Sequence, residues 1–456
     1  MQIGRKDVLW NYIATFLQIG VGVILLPFIL RVFQQETVAI WAIFSMVISF
    51  AGMLDFGFNP SFTRNVTYVV SGVKKLTVNG YQIVENTDTE IDYSLFKGLI
   101  NAMRWFYTRV SLLLFVFLIT VGTYYISTVL KTYSGGHNEV YISWAVLCVI
   151  NSYSLYTIYY DALMQGQGLV MRAKQIQIVG QAAYLIVATI MILLRFNLIA
   201  IVSAQALSIL IRRILSYNTI YNAGFKNTLK NVEAQPQKEI LKSIYPNAVK
   251  LGLNGLAAFV VLRSSLIFGS LYLSLDAVAS YGITMQIIGI ISSIAGVYFY
   301  TYLPKISQLR TQNAITSIKN LYLKGCLFSF FTYIAVGLSF IFWGNWALEL
   351  IKSQTQLLPK TLIIIALFVS FFEIIINLTV NIVLSKNEVP FLKIAFIVST
   401  ITFILLFFCF KFTSVGVLGM IIAPGIAECL HWLWMTGAIR ELNIKHRDIL
   451  MSRRFS

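Results

Sequence analysis

The chain is dominated by continuous runs of apolar residues. Each run is about as long as the roughly 20 residues that a helix needs to cross the hydrocarbon core of a bilayer. Only 12% of the 456 residues are charged, about half the share of an ordinary soluble protein. A membrane β-barrel would show alternating hydrophobicity instead. The runs therefore predict an all-α polytopic membrane protein.

The runs predict twelve transmembrane helices. The first follows the polar start MQIGRKD and is too long for the core of a signal peptide, so we expect it to stay in the protein. Several tryptophans fall near the ends of runs, where membrane–water interfaces favour amphipathic rings. The predicted spans lie near 10–32, 38–60, 100–128, 140–165, 175–195, 198–220, 246–270, 277–303, 323–343, 361–384, 392–411 and 415–438.

The formal net charge is +17, and 35 residues are Lys or Arg. Most of them fall in the loops and tails of one side if the N-terminus is cytoplasmic. This bias is the positive-inside signal, and it predicts that both termini are cytoplasmic. The basic residues assigned to spans are Arg109, Lys250 and Arg263. The positive charge thus indicates membrane topology and argues against a nucleic-acid partner.

A long polar interruption, 221–243, divides the predicted spans six and six. Such a division predicts an internal repeat. TVAIWAIFSM (37–46) and AVASYGITMQ (277–286) share Val, Ala and Ile at equivalent positions, each at the start of the second span of its half. Spans 1 and 7 run in the same direction, so the repeat is parallel. The predicted domains are an N-terminal six-helix lobe 1–222, a cytoplasmic linker 223–243, a C-terminal six-helix lobe 244–440 and a cytoplasmic tail 441–456.

The loop after the second span carries two local signals. KLTVNGYQIV (75–84) predicts a small β-hairpin, because Asn-Gly supplies the positive φ angles of a tight turn. TRNVTYVVSGVKK (63–75) predicts a short helix on the cytoplasmic leaflet. The hairpin is either a docking surface or a solvated decoration of the loop.

Arg263 interrupts the apolar stretch AFVVLRSSLIFG in the seventh span. Insertion scales place the cost of such an arginine at roughly 2.5–3.5 kcal/mol. Two interpretations explain its retention: an internal ion pair, or a water-filled cavity that receives an anion. Lys250, near the cytoplasmic start of the same span, is either an interfacial anchor or a second cavity cation.

Two further spans carry polar residues at helical spacing. Glu373, Asn377 and Asn381 recur every four residues, so they share one helix face. That face either joins helices or lines a hydrophilic cavity. Glu428 and His431 are three apart and are neighbours on another helix. They are candidates for ion coupling because His titrates near neutral pH, and a packed polar pair is the alternative.

The first half offers two acidic candidates for ion coupling, Asp55 and Asp161. Both lie near the cytoplasmic boundary, where helix capping and contact with water also account for them. Arg64 follows Asp55 closely and is a candidate cation for substrate entry. The four cysteines all fall in spans, and no Cys/His cluster has metal-ligand spacing. No Walker A sequence is present and the outer loops are short, so we expect no enzyme activity and no cofactor.

LDFGFNPSFTRNVTYVVSGVKK (54–75) resembles the second-span motif of bacterial polysaccharide repeat-unit flippases of the O-antigen Wzx type. YLPKISQL (302–309) resembles the Pro-containing end of the corresponding span in the second half. Twelve spans split six and six are similar to the wider superfamily that includes multidrug exporters and the lipid II flippase. The motifs cover a small part of the chain, and the inserted hairpin departs from the shortest family pattern.

The resemblance implies a V-shaped, MATE-like carrier in the bacterial inner membrane. It implies that undecaprenyl-pyrophosphate-linked oligosaccharide is flipped to the outer leaflet by alternating access, with the lipid bilayer and polysaccharide-assembly proteins as partners. The residues expected to contact substrate are Arg263, Lys250, Arg64, Glu373, Asn377 and Asn381. A cation-coupled multidrug exporter is the alternative, and a polysaccharide polymerase or ligase is a weaker one because the outer loops are small.

Overall fold

The computed structural model describes residues 5–55, 57–74, 76–77, 80–81, 91–311, 315–384 and 392–452. Within these ranges the backbone is helical apart from short connections and one two-stranded hairpin. Helices are the expected solution in lipid, because each satisfies its own backbone hydrogen bonds. The all-α prediction is confirmed.

The described helices fall into two compact units. Met1–Leu256 and the short segment Ile351–Thr355 form the N-terminal unit. Its helices are α1 Arg5–Val32, α2 Gln35–Met53, α3 Phe58–Val70, α4 Tyr93–Phe117, α5 Thr123–Val129, α6 His137–Tyr156, α7 Tyr159–Gly166, α8 Val170–Leu193, α9 Asn197–Ile220 and α10 Ala223–Lys230. A π-helical turn, Leu118–Gly122, joins α4 to α5.

The C-terminal unit contains Ala257–Leu350 and Gln356–Ser456. Its helices are α11 Gln237–Tyr272, α12 Leu275–Thr311, α13 Ile315–Leu350, α14 Lys360–Leu384, α15 Leu392–Phe412 and α16 Val417–Ser452. The start of α11 belongs to the N-terminal unit, because the division falls between Leu256 and Ala257. The segment proposed as a linker, 223–243, contains α10 and the first turns of α11. The predicted domain boundaries stay a prediction.

Eleven helices of the described chain are long and apolar enough to cross a membrane. A shorter apolar segment, Phe16–Val32, lies in α1. Together these helices match the positions of the twelve predicted spans. The positions match because the hydrocarbon thickness requires about 20 apolar residues in each spanning helix, and runs of this length are visible in the sequence.

Part of the pattern of helix neighbours is the same in each unit. In the N-terminal unit α6 packs against α2, α4 and α9, and α8 packs against α9. In the C-terminal unit α14 packs against α12, α13 and α16, and α15 packs against α16. In both cases the fourth span contacts the second, third and sixth. This equivalence is what a parallel repeat of six spans predicts.

A hairpin is present where it was predicted, but the glycine of Asn-Gly is a paired strand residue and not part of the turn. Leu76–Thr77 pairs antiparallel with Gly80–Tyr81, in the register Leu76 to Tyr81 and Thr77 to Gly80. The asparagine of the turn and residues 82–84 lie outside the described residues. The expected cytoplasmic helix begins earlier than predicted, at Phe58, and ends at Val70.

Gly166 allows α7 to pack closely on α3. A Cβ on Gly166 would lie 2.5 Å from Cβ and Cγ1 of Val66 and 2.8 Å from the carbonyl oxygen of Thr63. Small residues allow membrane helices to approach in this way. We therefore expect Gly166→Ala to lower the free energy of unfolding by about 1–3 kcal/mol through overpacking. Thermal unfolding in detergent micelles measures the effect.

The matched control is Gly289→Ala in α12, because no atom lies within 4 Å of a Cβ added there. This substitution should leave the melting temperature unchanged or slightly higher. Equal melting temperatures for the wild type and Gly166→Ala would contradict the packing assignment.

Candidate functional site

Arg263 lies on α11 in the C-terminal unit, and its side chain is exposed. Among the described residues, no carboxylate lies within 4 Å of its guanidinium to form an ion pair. Glu373 on α14 and the buried Tyr281 on α12 are within electrostatic range of Arg263. The guanidinium therefore lies near polar groups of two neighbouring helices while remaining accessible.

The predicted polar stripe on α14 includes one half-buried acid and two amides. Glu373 is partly buried, Asn377 is exposed, and Asn381 donates from Nδ2 to the carbonyl oxygen of Asn377 at 2.8 Å. Tyr333 on α13 is within electrostatic range of Glu373. Asn377 and Asn381 therefore extend the polar surface from Glu373 along α14.

Glu428 and His431 form a pair on α16. His431 Nδ1 lies 3.5 Å from Glu428 Oε2, and Glu428 is 9% exposed. Neither Glu428 Oε2 nor His431 Nε2 makes a hydrogen bond within the described part of the chain. Glu428 is also within electrostatic range of Glu373. Two carboxylates, a histidine and an arginine of this unit are thus linked by electrostatic interactions, and the carboxylates and the histidine are groups that can hold a proton.

The other two basic residues predicted to contact substrate are Lys250 and Arg64. The side chain of Lys250, on α11, lies outside the described residues. Arg64 is exposed on α3 and lines a cavity of about 570 Å³. Asp55, Asn59 and Gln165 are among the other lining residues. The cavity thus brings Arg64 and Asp55 together.

Asp55 connects three helices. Its side chain is 8% exposed and accepts hydrogen bonds from the backbone N–H of Asn59 at 3.1 Å and from Tyr107 Oη at 2.5 Å. The turn before α3 depends on Gly57, which has a φ of +67° that most side chains disfavour. Asp55 therefore holds the end of α2 and the start of α3 against α4, which is a structural role for this ion-coupling candidate.

Asp161 pairs with Arg213 of α9. The distance from Arg213 Nη1 to Asp161 Oδ2 is 3.0 Å, and the two side chains are 2% and 35% exposed respectively. Arg213 and its neighbour Arg212 both lie within the apolar helix Asn197–Ile220. The signal was present as two adjacent arginines in IRRIL, but the sequence does not indicate which helix they face.

Arg212 lines a second cavity, of about 420 Å³, inside the N-terminal unit. This cavity lies among α2, α6, α8 and α9. Its polar lining residues are Asn151, Ser154, Gln181, Tyr184, Gln205, Ser208 and Arg212. The sequence alone does not indicate this site, because its polar residues are spread over three helices and only the folded chain brings them together. Within the described residues, no group of three or more His, Cys, Asp or Glu side chains could hold a metal ion.

The architecture is that of known membrane transporters. The chain is similar to a multidrug-resistance MATE-family transporter of the MOP superfamily in an inward-facing conformation, with a TM-score of 0.62, 14% identity and coverage of 94% of this chain and 95% of that one. It is equally similar to the lipid II flippase MurJ in an inward closed conformation, with a TM-score of 0.62, 16% identity and coverage of 95% and 87%. At these identities the similarity shows the fold alone.

A third similar structure is a MOP-superfamily transporter from Pyrococcus furiosus, with a TM-score of 0.54, 16% identity and coverage of 96% of this chain and 94% of that one. Its binding pocket is described as having reverse polarity, which suggests a different function. No protein-family model and no curated protein sequence matches the chain.

Proposed function

We propose that this protein flips undecaprenyl-pyrophosphate-linked oligosaccharide repeat units from the cytoplasmic to the outer leaflet by alternating access. The observation that carries the proposal is Arg263, an accessible arginine with no ion-pair partner among the described residues of a transporter fold. The similarity to the lipid II flippase supports a lipid-linked substrate. The sequence motif at 54–75 favours a polysaccharide repeat unit over lipid II.

The pyrophosphate is the chemical obstacle to flipping. Its charge cannot cross about 30 Å of hydrocarbon unaided. A guanidinium forms charge-assisted hydrogen bonds to phosphate oxygens, often in pairs. Arg263 supplies these bonds in our proposal, and Lys250 and Arg64 guide entry from the cytoplasmic side. Glu373, Asn377 and Asn381 hydrogen-bond sugar hydroxyls.

The membrane potential favours export of the anion. One elementary charge crossing 100 mV is worth about 2.3 kcal/mol. A diphosphate diester of charge near −2 that leaves a negative interior therefore gains roughly 4–5 kcal/mol at that potential. Coupling to H⁺ or Na⁺ is not required in this scheme. If an ion is coupled, Glu428, His431, Asp161 and Asp55 are the candidates, and Glu373 joins them through its proximity to Glu428.

A cation-coupled multidrug exporter is the second candidate function. The observation that favours it is the proximity of Glu373 and Glu428, since two nearby carboxylates attract a cation. Arg263 opposes it, because its charge is within electrostatic range of the same site and repels cationic drugs.

Reconstitution in liposomes separates the two functions. Fluorescently labelled lipid-pyrophosphate oligosaccharide should become accessible to a membrane-impermeant quencher faster in vesicles with the protein than in empty vesicles. A potential that is negative on the departure side should accelerate the transfer. Uptake of cationic dyes with no transfer of the lipid-linked glycan would overturn the proposal and support the exporter.

A further inference from the structure

The cavity of about 420 Å³ in the N-terminal unit has an unusual polar lining. Gln181 and Tyr184 project from α8, and Arg212 projects from α9, about two helical turns after Gln205. No hydrogen bond or ion pair joins these four side chains to any described residue. All four side chains are partly buried, and polar groups in such a setting normally pair with protein, water or a ligand, so four without a protein partner around one cavity are available to a ligand.

The charge at this cavity is positive. Asp161 is bonded to Arg213 at 3.0 Å and is also within electrostatic range of Arg212, so one carboxylate is shared between two arginines. Lys174 on α8 is within electrostatic range of Asp161 as well. Two arginines and a lysine therefore surround a single carboxylate, and the balance favours binding of an anion.

Arg212 is held in place by a specific close contact. A Cβ on Gly180 would lie 2.4 Å from both Cγ and Cδ of Arg212, so the arginine stem lies directly on the glycine of α8. Ser208 Oγ donates to the carbonyl oxygen of Gly180 at 2.7 Å and fixes α9 against α8 at the same level. The guanidinium is thus supported by a packed interface, which lowers the entropic cost of binding.

The rest of the lining fits a sugar ring. Glutamine amides and a tyrosine hydroxyl both donate and accept hydrogen bonds, as sugar hydroxyls require. Ile48, Leu155, Ile158 and Ile209 provide apolar walls for the C–H faces of the ring. The volume lies within the roughly 300–1,000 Å³ that is typical of small-molecule sites.

We propose that this cavity binds an acidic monosaccharide unit of the transported glycan, with the sugar carboxylate on Arg212 and the hydroxyls on Gln181, Gln205 and Tyr184. The proposal rests on the proposed flippase function and adds the substrate class: a repeat unit that contains a uronic acid or a similar sugar acid. The apolar walls and the neutral donors favour a sugar over a bare phosphate group, which has no C–H faces to pack.

Binding to the purified full chain in nanodiscs tests the proposal without transport. The probes are methyl glucuronide, methyl glucoside, which has the same ring without the carboxylate, and inorganic phosphate, all measured by calorimetry. Charge-assisted hydrogen bonds predict that the glucuronide binds about 10–100-fold more tightly than the glucoside. Arg212→Gln should abolish this preference. Arg172→Gln should retain it, because Arg172 is an exposed arginine of α8 that does not line the cavity.

Gly180→Ala provides a second variant that keeps the charge. Its methyl group displaces the stem of Arg212, so the preference for the glucuronide should fall several-fold. If Arg212→Gln fails to fold, the glucuronide preference of the wild type and its decrease in Gly180→Ala still test the proposal. Equal binding of glucuronide and glucoside by the wild type, or a preference that survives Arg212→Gln, would overturn the proposal. Phosphate binding as tight as that of the glucuronide would identify an inorganic-anion site instead and would also overturn it.

The binding results are separable from the proposed function. A chain that prefers the glucuronide but flips no lipid-linked glycan contradicts the flippase function and retains the cavity as an acidic-sugar site. A chain that flips the glycan but shows no preference contradicts only the cavity assignment.

Discussion

Arg263→Ala should abolish flipping of the lipid-linked glycan. The substitution removes two charge-assisted hydrogen bonds to the pyrophosphate, each worth about 1.5–3 kcal/mol. A loss of about 3 kcal/mol corresponds to roughly a hundredfold fall in transport. Arg263→Lys should retain part of the activity, because a point charge replaces the planar fork. Complementation of a flippase-null strain, read as glycan display at the cell surface, measures both variants.

Arg109→Ala is the matched control for this experiment. Arg109 is also an exposed arginine within an apolar helix, but its guanidinium lies 3.7 Å from the ring centroid of Trp105 and donates to the carbonyl oxygen of that residue at 3.3 Å. Its local partners account for its presence, so its loss should leave flipping intact at equal protein abundance. Normal glycan display with Arg263→Ala would remove the assigned role of Arg263.

Asp161→Asn should strongly destabilise the N-terminal unit. Arg213 is 2% exposed and has its ion-pair partner 3.0 Å away. Removal of one member of a buried pair leaves the other charged and unpaired, at a cost of about 3–5 kcal/mol. Asp161 is partly exposed, so water reduces the loss, and we expect about 3 kcal/mol. The melting temperature in detergent should fall by several degrees.

A double substitution distinguishes a broken ion pair from a general packing defect. Asp161→Leu combined with Arg213→Met removes both charges and should recover most of the stability lost with Asp161→Asn. The double-mutant cycle measures the coupling free energy between the two positions. Wild-type stability together with lost ion coupling in Asp161→Asn would contradict the structural role and support the coupling role that the sequence suggested for this residue.

The sequence predicted the transmembrane helices well because the membrane limits the alternatives. A run of apolar residues has one stable form in lipid, the α-helix, and the length of the run sets the length of that helix. A hairpin near residue 79 was predictable because Asn-Gly favours a tight turn, but its register was not, because Gly80 pairs with Thr77 instead of lying in the turn. The short helix α3 was placed several residues too late, because its start depends on Gly57 and on the contact of Asp55 with Tyr107.

The candidate sites were only partly predictable. Helical spacing correctly placed Glu428 beside His431, because residues three apart are neighbours on one helix. It did not identify Arg212, although the residue is plainly visible in the sequence within an apolar run. Its significance depends on Gln181 and Tyr184 of α8, and periodicity along one helix carries no information about the helix opposite.

The sequence by itself determined that this is a helical membrane protein and where its apolar helices lie, because the length of an apolar run acts within a short stretch of chain. Only the tertiary structure decided which polar groups are satisfied inside the protein. Asp55 and Asp161 have partners 52 residues away in the chain, whereas Arg263 and Arg212 have none among the described residues. The reason is that a charged side chain within a membrane is stabilised by the polar groups of neighbouring helices or by water in a cavity, and the whole fold decides which of these lie beside it.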